Sequence, residues 1–427
     1  MPLPSAGALF IHLLIAIGAL IVVAKLAWNL WLSYIQTEFL RSVKWVLLEI
    51  RPPKDVFKSP AAMELVLNSL YQTGGTGNWY DKYWKGNLRN CFSLEIASLE
   101  GRIHFYIRTS EKFRKLIESQ IYAQYPQAEV VSVTDYTKEI PGFTKGGPIA
   151  LWGCNFELTN KEEVYPIKTY VDYGLDRAVG SLEEEERIDP ITSMLEFMGS
   201  IGVGEYIWFQ IIIRAATNRF VIKGKEGNEE AGKAWTDRVK QVIKDFNEGL
   251  VEYEKDAEGK KKKVGSRRAT KGEQQVIEAI ERNANKLGFD SGIRAVYVTR
   301  SEHFDANRIS GLTGMLRQYS AADYNSFKPA NTTSFDFPWQ DLLGNKIVKK
   351  KARMLGGYKA RGYFYGKFSF KKIGKYFTHP NQSGGKPFIL STEELATLYH
   401  LPGRVVETPT FVRIESKRGE PPANLPV

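Results

Sequence analysis

One apolar run near the N-terminus constrains this chain more than any other feature. Residues 6–24 read AGALFIHLLIAIGALIVVA, and His12 is the only strongly polar side chain among them. A helix of this length extends about 28 Å, close to the thickness of the hydrocarbon core of a bilayer. The sequence therefore predicts one membrane-spanning helix, within a membrane anchor and interfacial helix of residues 1–42, that carries the rest of the chain.

A cleaved signal peptide is the alternative interpretation of this run. Such peptides carry a basic region before a shorter apolar core and end at a small-residue cleavage site. Here no Lys or Arg precedes the run, whereas Lys25 and aromatic residues follow it. Because basic residues collect on the cytoplasmic side, this favours a single-pass protein of the cell membrane whose body faces the cytoplasm. Trp28, Trp31 and Tyr34 stand where an aromatic belt would meet the headgroups.

Length and composition limit what the body can be. With 427 residues, of which 43% are apolar, the chain can form two or three domains with hydrophobic cores. Its two cysteines, Cys91 and Cys154, cannot form a disulfide framework and are typical of a reducing compartment. No histidine pairs with Cys, Asp or Glu at a spacing typical of zinc, so we expect no metal site and no cofactor.

Residues 43–145 alternate between strand-like and helix-like periodicities. The predicted elements, in chain order, are a strand at 44–50, a helix at 62–70, strands at 92–96 and 103–107, a helix at 113–121 and a strand at 131–133. Glu100-Gly101 would form the turn of a β-hairpin between the two middle strands. The order β-α-β-β-α-β predicts a first ferredoxin-like module.

A looser copy of this pattern follows over residues 146–320. Strands are predicted at 154–158, 164–173, 206–213 and 293–298, and helices at 189–198 and 270–287. The run at 206–213 is apolar on both faces, as expected of a central strand, and Thr270 with Glu273 predicts a capping box. A helical insertion at about 216–270 interrupts the module. The predicted fold class is therefore α+β, with a transmembrane helix followed by two ferredoxin-like modules, the second with insertions.

The remaining chain divides into a basic segment and a short structured end. Between Asp341 and Glu393 there is no acidic residue, and the twelve Lys and Arg residues there more than account for the net charge of +11. We predict an irregular basic-aromatic segment over 321–387. Over 388–427 we predict a helix capped by Ser391 and Glu394, a short strand at 410–414 and a proline-rich tail.

The motifs of common catalytic sites do not occur in the sequence. A phosphate-binding loop requires Ser or Thr after a Gly-Lys pair, and another residue follows every such pair here. The stretch GSIGVG at 199–204 ends a predicted helix instead of opening one, so we interpret it as a helix stop. No G-x-S-x-G elbow is present. We therefore expect a protein that is not an enzyme.

Bases and aromatic residues are interleaved over 346–376. Lys and Arg neutralise phosphates, and aromatic rings stack on unpaired bases, so this pattern predicts a contact with single-stranded nucleic acid. Two other interpretations stay open: contact with anionic lipid or an acidic protein, and aromatic core residues of a β-hairpin. The candidate nucleic-acid-binding residues are Lys349, Lys350, Lys351, Arg353, Lys359, Arg361, Lys367, Lys371, Lys372, Tyr363 and Tyr365.

Several phrases of the sequence, taken in order, are similar to those of a known family. They read EIRPPKDVFKSPAAMELVLNSL, GRIHFYIRTSEKFRKLIESQIYAQYPQAEV, GEYIWFQIIIR and FILSTEELATLYHLPGRVVETP. Together they resemble the N-terminal half of membrane-anchored DNA-transfer ATPases of the type IV secretion and conjugative coupling type, which are related to hexameric DNA-pumping motors. The resemblance covers essentially the whole chain.

In that family, phrases like ELATL and PPANLP lead into a motor that carries the Walker loop. This sequence ends at Val427, before such a motor, so the resemblance carries no catalytic residue over to it. It implies a non-enzymatic, membrane-anchored platform or accessory domain of a DNA-transfer apparatus. The expected partners are the membrane and a separate ATPase subunit, with single-stranded DNA at the basic-aromatic segment and further copies of the chain at the α+β body. The alternative is a membrane-surface scaffold that binds anionic lipid or acidic protein without DNA.

Overall fold

The computed structural model describes most of the chain. The described residues are 6–53, 58–74, 77–159, 162–176, 188–216, 220–223, 229–255, 261–364 and 385–403. They belong to two compact units. The described part of the first unit is residues 6–45, 73–74 and 77–90, and the other described residues form the second.

Within the described residues the chain forms ten α-helices and thirteen strands. The helices are α1 (Ala6–Ser42), α2 (Ala61–Ser69), α3 (Trp79–Tyr83), α4 (Arg114–Gln124), α5 (Ile191–Gly199), α6 (Trp235–Gly249), α7 (Lys271–Ala284), α8 (Asn307–Gly314), α9 (Asn345–Lys359) and α10 (Thr392–Leu398). The strands are β1 (Trp45–Arg51), β2 (Phe92–Leu99), β3 (Arg102–Ser110), β4 (Glu129–Val133), β5 (Ile149–Leu158), β6 (Glu205–Ala215), β7 (Phe220–Lys223), β8 (Glu229–Lys233), β9 (Val251–Lys255), β10 (Lys261–Ser266), β11 (Gly288–Arg300), β12 (Phe327–Ala330) and β13 (Phe388–Ser391).

The first unit is dominated by α1. This helix has 37 residues and therefore extends about 55 Å. Within Phe10–Ser42, the most apolar stretch of 18 residues has a mean hydropathy of 2.5. The large apolar side chains of this helix, such as Phe10, Ile15 and Leu20, are exposed. The predicted apolar helix is therefore present, and it is long and apolar enough to cross a membrane.

The second unit is built on one large sheet. Eight strands follow the order β12-β5-β11-β6-β2-β3-β1-β4, and β13 pairs with β11. The long strand β6 lies in the middle, antiparallel to β11 on one side and to β2 on the other. Nine of its eleven residues are buried. The expectation of a central strand buried on both faces is confirmed, and it explains the run YIWFQIII.

The hairpin of β2 and β3 has the predicted turn. Leu99 pairs with Arg102, so Glu100 and Gly101 are the two loop residues. Both have positive φ, 54° and 85°, as a type I′ turn requires. A side chain at Gly101 would also meet the carbonyl of Ile201, at 2.8 Å from the added Cβ. This turn therefore needs glycine for two reasons, its backbone conformation and its close neighbour.

The sheet separates two hydrophobic cores. On one face, Phe209, Ile211 and Ile213 of β6 belong to a core that α2, α4, α5, α8 and α10 cover. On the other face, Trp208 and its neighbours pack against Met354, Leu355 and Tyr358 of α9. A smaller cluster joins α6, α7 and β13. The helix α9 is therefore an integral layer of the fold.

Two expectations about secondary structure differ from the structure. Residues 164–173 form a loop with turns, although a strand was expected, because the backbone N–H groups of Ile167 and Tyr170 donate to side chains of α10. The segment 321–387, expected to be irregular, contains α9, since Met354 and Tyr358 give this basic stretch an apolar stripe.

The predicted helical insertion at about 216–270 contains α6 as expected and also two hairpins, β7–β8 and β9–β10. The strand expected at 410–414 lies outside the described residues.

Candidate nucleic-acid interface

Most of the described candidate residues lie on α9. The helix begins after Gly344, which has a left-handed φ of 67°. The Asp341 carboxylate accepts the backbone N–H of Ile347 at 2.7 Å, and so supplies an acceptor that the first turn of a helix otherwise lacks. Because Met354 and Tyr358 are fixed against the sheet, the opposite side of the helix faces outwards.

Two of the candidates on α9 are exposed, Lys349 and Arg353. Lys346, which belongs to the same basic interval, is exposed as well. Spacings of three and four residues place these three cations on one side of the helix. We call them the basic face of α9. It is the part of the predicted site that a phosphate group could reach in the described structure.

Three other candidate lysines are used within the fold. Lys350 donates to the carbonyl of Ser334 at 3.3 Å, and the Lys351 ammonium lies 5.4 Å from the centre of the Phe143 ring. Lys359 donates to the carbonyl of Ile140. Burial lowers the pKa of all three ammonium groups. These lysines therefore tie α9 to its surroundings and contribute less to an open cationic surface.

Arg361 is interior, contrary to its expected role as a nucleic-acid contact. Only 3% of its surface is exposed. Its Nε and Nη2 donate to the Glu95 carboxylate at 2.9 and 3.0 Å, and it also donates to Asp135. Burial alone would lower the pKa of Arg361, but the carboxylates, Glu95 above all, raise it well above its usual value. This guanidinium balances two carboxylates and is not available to a ligand.

Glu95 is the centre of a buried polar cluster on the α9 face of the sheet. Besides Arg361, its oxygens accept from Ser93 at 2.6 Å, Tyr136 at 2.8 Å and Gln210 at 3.2 Å. Burial by itself would raise the pKa of Glu95, but Arg361 and these donors lower it. Full satisfaction by hydrogen bonds is what makes a buried carboxylate tolerable.

Tyr363 is also buried, with its ring against the sheet. A Cβ added at Gly292 of β11 would lie 2.3 Å from the Tyr363 ring, so the ring rests directly on this glycine. The guanidinium carbon of Arg294 lies 5.6 Å from the ring centre. Tyr363 therefore fits the structural alternative that the sequence left open, aromatic residues of a core. It does not offer an open platform for a base.

Sequence reasoning missed the polar residues in the strands around this cluster. Arg294 is fully buried; its Nε donates to Asn155 at 3.3 Å and its Nη2 to the carbonyl of Gly362 at 3.1 Å. Burial lowers its pKa to about 10. No salt bridge to Arg294 occurs among the described residues. The sequence signal that could have revealed this cluster is a polar residue within a strand that is buried on both faces, such as Arg294 or Gln210.

The last four candidates, Tyr365, Lys367, Lys371 and Lys372, lie outside the described residues. The structure therefore does not test them. In the part of the chain that is described, no group of three His, Cys, Asp or Glu residues is arranged to hold a metal ion. The expectation of no metal site stays a prediction.

An exposed apolar turn precedes the basic face, and the sequence did not predict it. Phe337, Trp339, Leu342 and Leu343 are exposed, the two leucines by 85% and 75%. The rings of Phe337 and Trp339 stack with centroids 4.6 Å apart. Large exposed apolar side chains beside cations are typical of surfaces that meet a membrane or a protein partner. We call these four residues the apolar turn.

Taken together, the structure defines a mixed α/β protein with an N-terminal apolar helix and an antiparallel sheet. Comparison with protein families adds the assignment. A family model described as "Domain of unknown function (DUF8128)" matches residues 30–413, and the chain belongs to this family. No curated protein matches the sequence.

Proposed function

We propose that this protein is a non-enzymatic, membrane-anchored component of a type IV secretion-like DNA-transfer apparatus. It would act as an assembly platform or accessory domain for a separate ATPase, without a cofactor of its own. The observation that carries the membrane part is α1, an exposed apolar helix of sufficient length. The DNA-transfer part is supported by the resemblance of several phrases of the sequence to membrane-anchored DNA-transfer ATPases.

We infer that the body faces the cytoplasm. The support is the distribution of charge: no base precedes the apolar run, and Lys25, Arg41 and Lys44 follow it. Labelling of an introduced cysteine in intact cells tests this. A cysteine in the exposed stretch before β2, such as Gly77→Cys, should react only after the membrane is opened. Reaction with a membrane-impermeant reagent in intact cells would contradict the orientation.

We further propose that each half of the sheet is a ferredoxin-like module. In the first half, apart from α3 between α2 and β2, the elements run β1-α2-β2-β3-α4-β4, and the strands lie in the order β4-β1-β3-β2. In the second half β5, β6, β11 and β12 lie in the same relative order, with α5 and α8 as connections. The support is this repeated order, which follows the β-α-β-β-α-β pattern.

Co-purification tests the accessory role. A tagged full-length chain, extracted from its own membranes in mild detergent, should bring down an ATPase subunit, and cross-linking should reveal further copies of the chain. The same extraction from cells with an untagged chain is the control. Repeated recovery of the tagged protein with no ATPase would remove the main support for a platform role.

One observation favours the second candidate function, a membrane-surface scaffold without DNA. The apolar turn and the basic face of α9 are neighbours in sequence, and such a pairing is typical of binding to anionic lipid. The test is flotation of a fragment from residue 43, first checked for folding by circular dichroism. Flotation with phosphatidylglycerol vesicles that is lost in Leu342→Asp/Leu343→Asp, without single-stranded DNA binding at equal salt, would favour the scaffold.

A further inference from the structure

A short aromatic segment packs against α1 within the first unit. The sequence NWYDKYWKG at 78–86 contains α3, which is capped by Asn78, whose side chain accepts the Asp81 backbone N–H at 2.8 Å. The Trp31 indole N–H donates to the carbonyl of Tyr83 at 3.0 Å. The ring of Trp28 also contacts Tyr83, with centroids 5.7 Å apart. The segment and the helix are therefore held together by specific contacts.

Glycine makes this approach possible. Gly86 has a φ of 68°, and an added Cβ would lie 2.5 Å from the backbone carbonyl atoms of Ile35. The backbone of the segment therefore rests directly on the backbone of α1. On the helix, Trp28, Trp31 and Ile35 follow a spacing of three and four residues, which forms one stripe. This stripe is the side of α1 that receives the segment.

The result is a group of aromatic rings on this side of the helix, at one level along its axis. Ring contacts join Trp28, Trp31, Trp79, Tyr83 and Trp84, and Tyr80 belongs to the same segment, with the Lys85 ammonium 5.4 Å from its ring centre. We call these six aromatic residues the aromatic collar. Trp79, Tyr80 and Trp84 are 61%, 55% and 49% exposed. Lys82 and Lys85 of the same segment are exposed as well, and Lys85 also pairs with Asp81 at 2.9 Å. Side chains of this size are rarely left in water in such a group unless the surface meets a membrane or another protein.

The position of the collar along α1 favours a membrane over another protein as the surface that these rings contact. Trp28 and Trp31 follow the apolar run by four and seven residues, which is about 6 and 10 Å along a helix. The headgroup region begins where the hydrocarbon core ends. Trp and Tyr favour that level, because their rings are apolar while their N–H and O–H groups bind water or headgroups. Lysine ammonium groups there reach lipid phosphates.

We propose that the aromatic collar is a lipid-binding element that lies in the headgroup region of the membrane that α1 crosses. The inference rests on the proposed membrane anchorage and adds a second element, from a distant part of the sequence, to the anchor. Because Gly86 and the Trp31 hydrogen bond hold the segment to the helix, the collar fixes how deeply α1 enters the bilayer. The occupant is phospholipid, not a second copy of the chain.

Photo-cross-linking of the full-length chain in phosphatidylcholine–phosphatidylglycerol vesicles tests this. Three separate variants carry the photoreactive residue p-benzoylphenylalanine: Ile17→p-benzoylphenylalanine within the apolar run, Tyr80→p-benzoylphenylalanine in the collar and, as a matched exposed tyrosine, Tyr122→p-benzoylphenylalanine on α4. We expect lipid adducts at positions 17 and 80 and none above background at 122. An adduct at 17 without one at 80 would overturn the collar while leaving the membrane anchor intact. A protein–protein adduct at 80 would also overturn it, and no adduct at 17 would overturn the anchor and the collar together.

A second measurement does not depend on the photoreactive residue. Brominated phosphatidylcholine quenches tryptophan fluorescence at short range, so the collar tryptophans should be quenched in vesicles. In Trp79→Ser/Trp84→Ser the quenched share of the fluorescence should fall, whereas Trp339→Ser, in the second unit, should leave or raise it. Equal quenching of the wild-type chain and the double variant would contradict the proposal.

Discussion

Arg353 and Arg361 are eight residues apart in one basic-aromatic segment, yet their surroundings are opposite. Arg353 is exposed on the basic face of α9, whereas Arg361 is 3% exposed and hydrogen-bonded to Glu95. Asp135 also accepts a hydrogen bond from Arg361. The same chemical group is a solvated charge at one position and half of an interior ion pair at the other. The composition of a segment therefore does not tell which of its bases a partner can reach.

The difference follows from the residues that face each guanidinium. A buried charge is tolerated only where opposite charges and hydrogen bonds compensate its loss of water. Glu95 and Asp135 supply that compensation, and both lie far from Arg361 in sequence. Arg353 faces outwards because Met354, the next residue, turns towards the sheet. Partners distant in sequence therefore place Arg361 in the interior, whereas its position on the helix places Arg353 on the surface.

The largest expected effect comes from removing the interior charge. In Arg361→Met, Glu95 keeps its burial and loses its cation, and breaking a buried pair costs about 3–5 kcal/mol. Denaturant unfolding of the full-length chain in detergent measures this loss. Arg353→Met is the matched control and should change the free energy of unfolding by less than about 0.5 kcal/mol. Similar losses in the two variants would show that the two environments do not differ as described.

A buried carboxyl group without such a cation sharpens the comparison. Glu394 is 4% exposed, accepts the backbone N–H groups of Ser391 and Ile167, and no cation pairs with it among the described residues. Burial raises its pKa from 4.5 to about 7. The folded chain therefore binds a proton in this interval that the unfolded chain releases.

The free energy of unfolding should accordingly fall as the pH rises from 4.5 to about 7. Above that pH, Glu394 should contribute little further change. The total effect is on the order of 3 kcal/mol. Unfolding curves at several pH values test it, and Glu394→Gln should flatten the dependence while it keeps an oxygen acceptor. A pH profile that is the same in both proteins would exclude Glu394 as its source.

A smaller effect is expected where Tyr363 rests on the sheet. In Gly292→Ala the new methyl group would lie 2.3 Å from the ring, so the ring has to move, at a cost of about 1–3 kcal/mol. Gly314→Ala is the control, because the nearest neighbour of a Cβ added there is the Arg317 side chain at 3.8 Å, an ordinary van der Waals distance. Unfolding measurements compare the two. If Tyr363 were an open stacking platform, the two substitutions would have equal effects.

Local sequence patterns predicted local structure well. The apolar helix, the hairpin turn at Glu100-Gly101, the central strand and the capping box of Thr270 and Glu273 are all present. Each depends on residues close together in the chain, so its signal is complete within a short window. The capping box of Ser391 and Glu394 was found for the same reason.

The candidate site was predicted less well because it depends on distant partners. The pattern of bases and aromatic residues over 346–376 favours an open nucleic-acid contact and leaves a structural role open, but it does not tell that Arg361 and Tyr363 are the interior members. Their partners, Glu95 and Gly292, are 266 and 71 positions away, and no periodicity within the segment points to them. Lys349 and Arg353 fit the expectation, since a helical spacing is enough to place them on one side.

The smallest expected change in stability belongs to the basic face, where binding is the more sensitive measurement. Lys349→Gln/Arg353→Gln should leave the free energy of unfolding within about 0.5 kcal/mol. If this face meets single-stranded DNA, each lost phosphate contact should reduce the slope of log affinity against log salt by about 0.7. Lys351→Gln/Lys359→Gln removes the same charge from half-buried positions. It should leave the slope of log affinity against log salt unchanged and destabilise the fold, because Lys359 loses its bond to Ile140.

Equal losses of DNA binding in both variants would show that the effect comes from net charge. No loss of binding in either variant would show that this surface does not bind DNA.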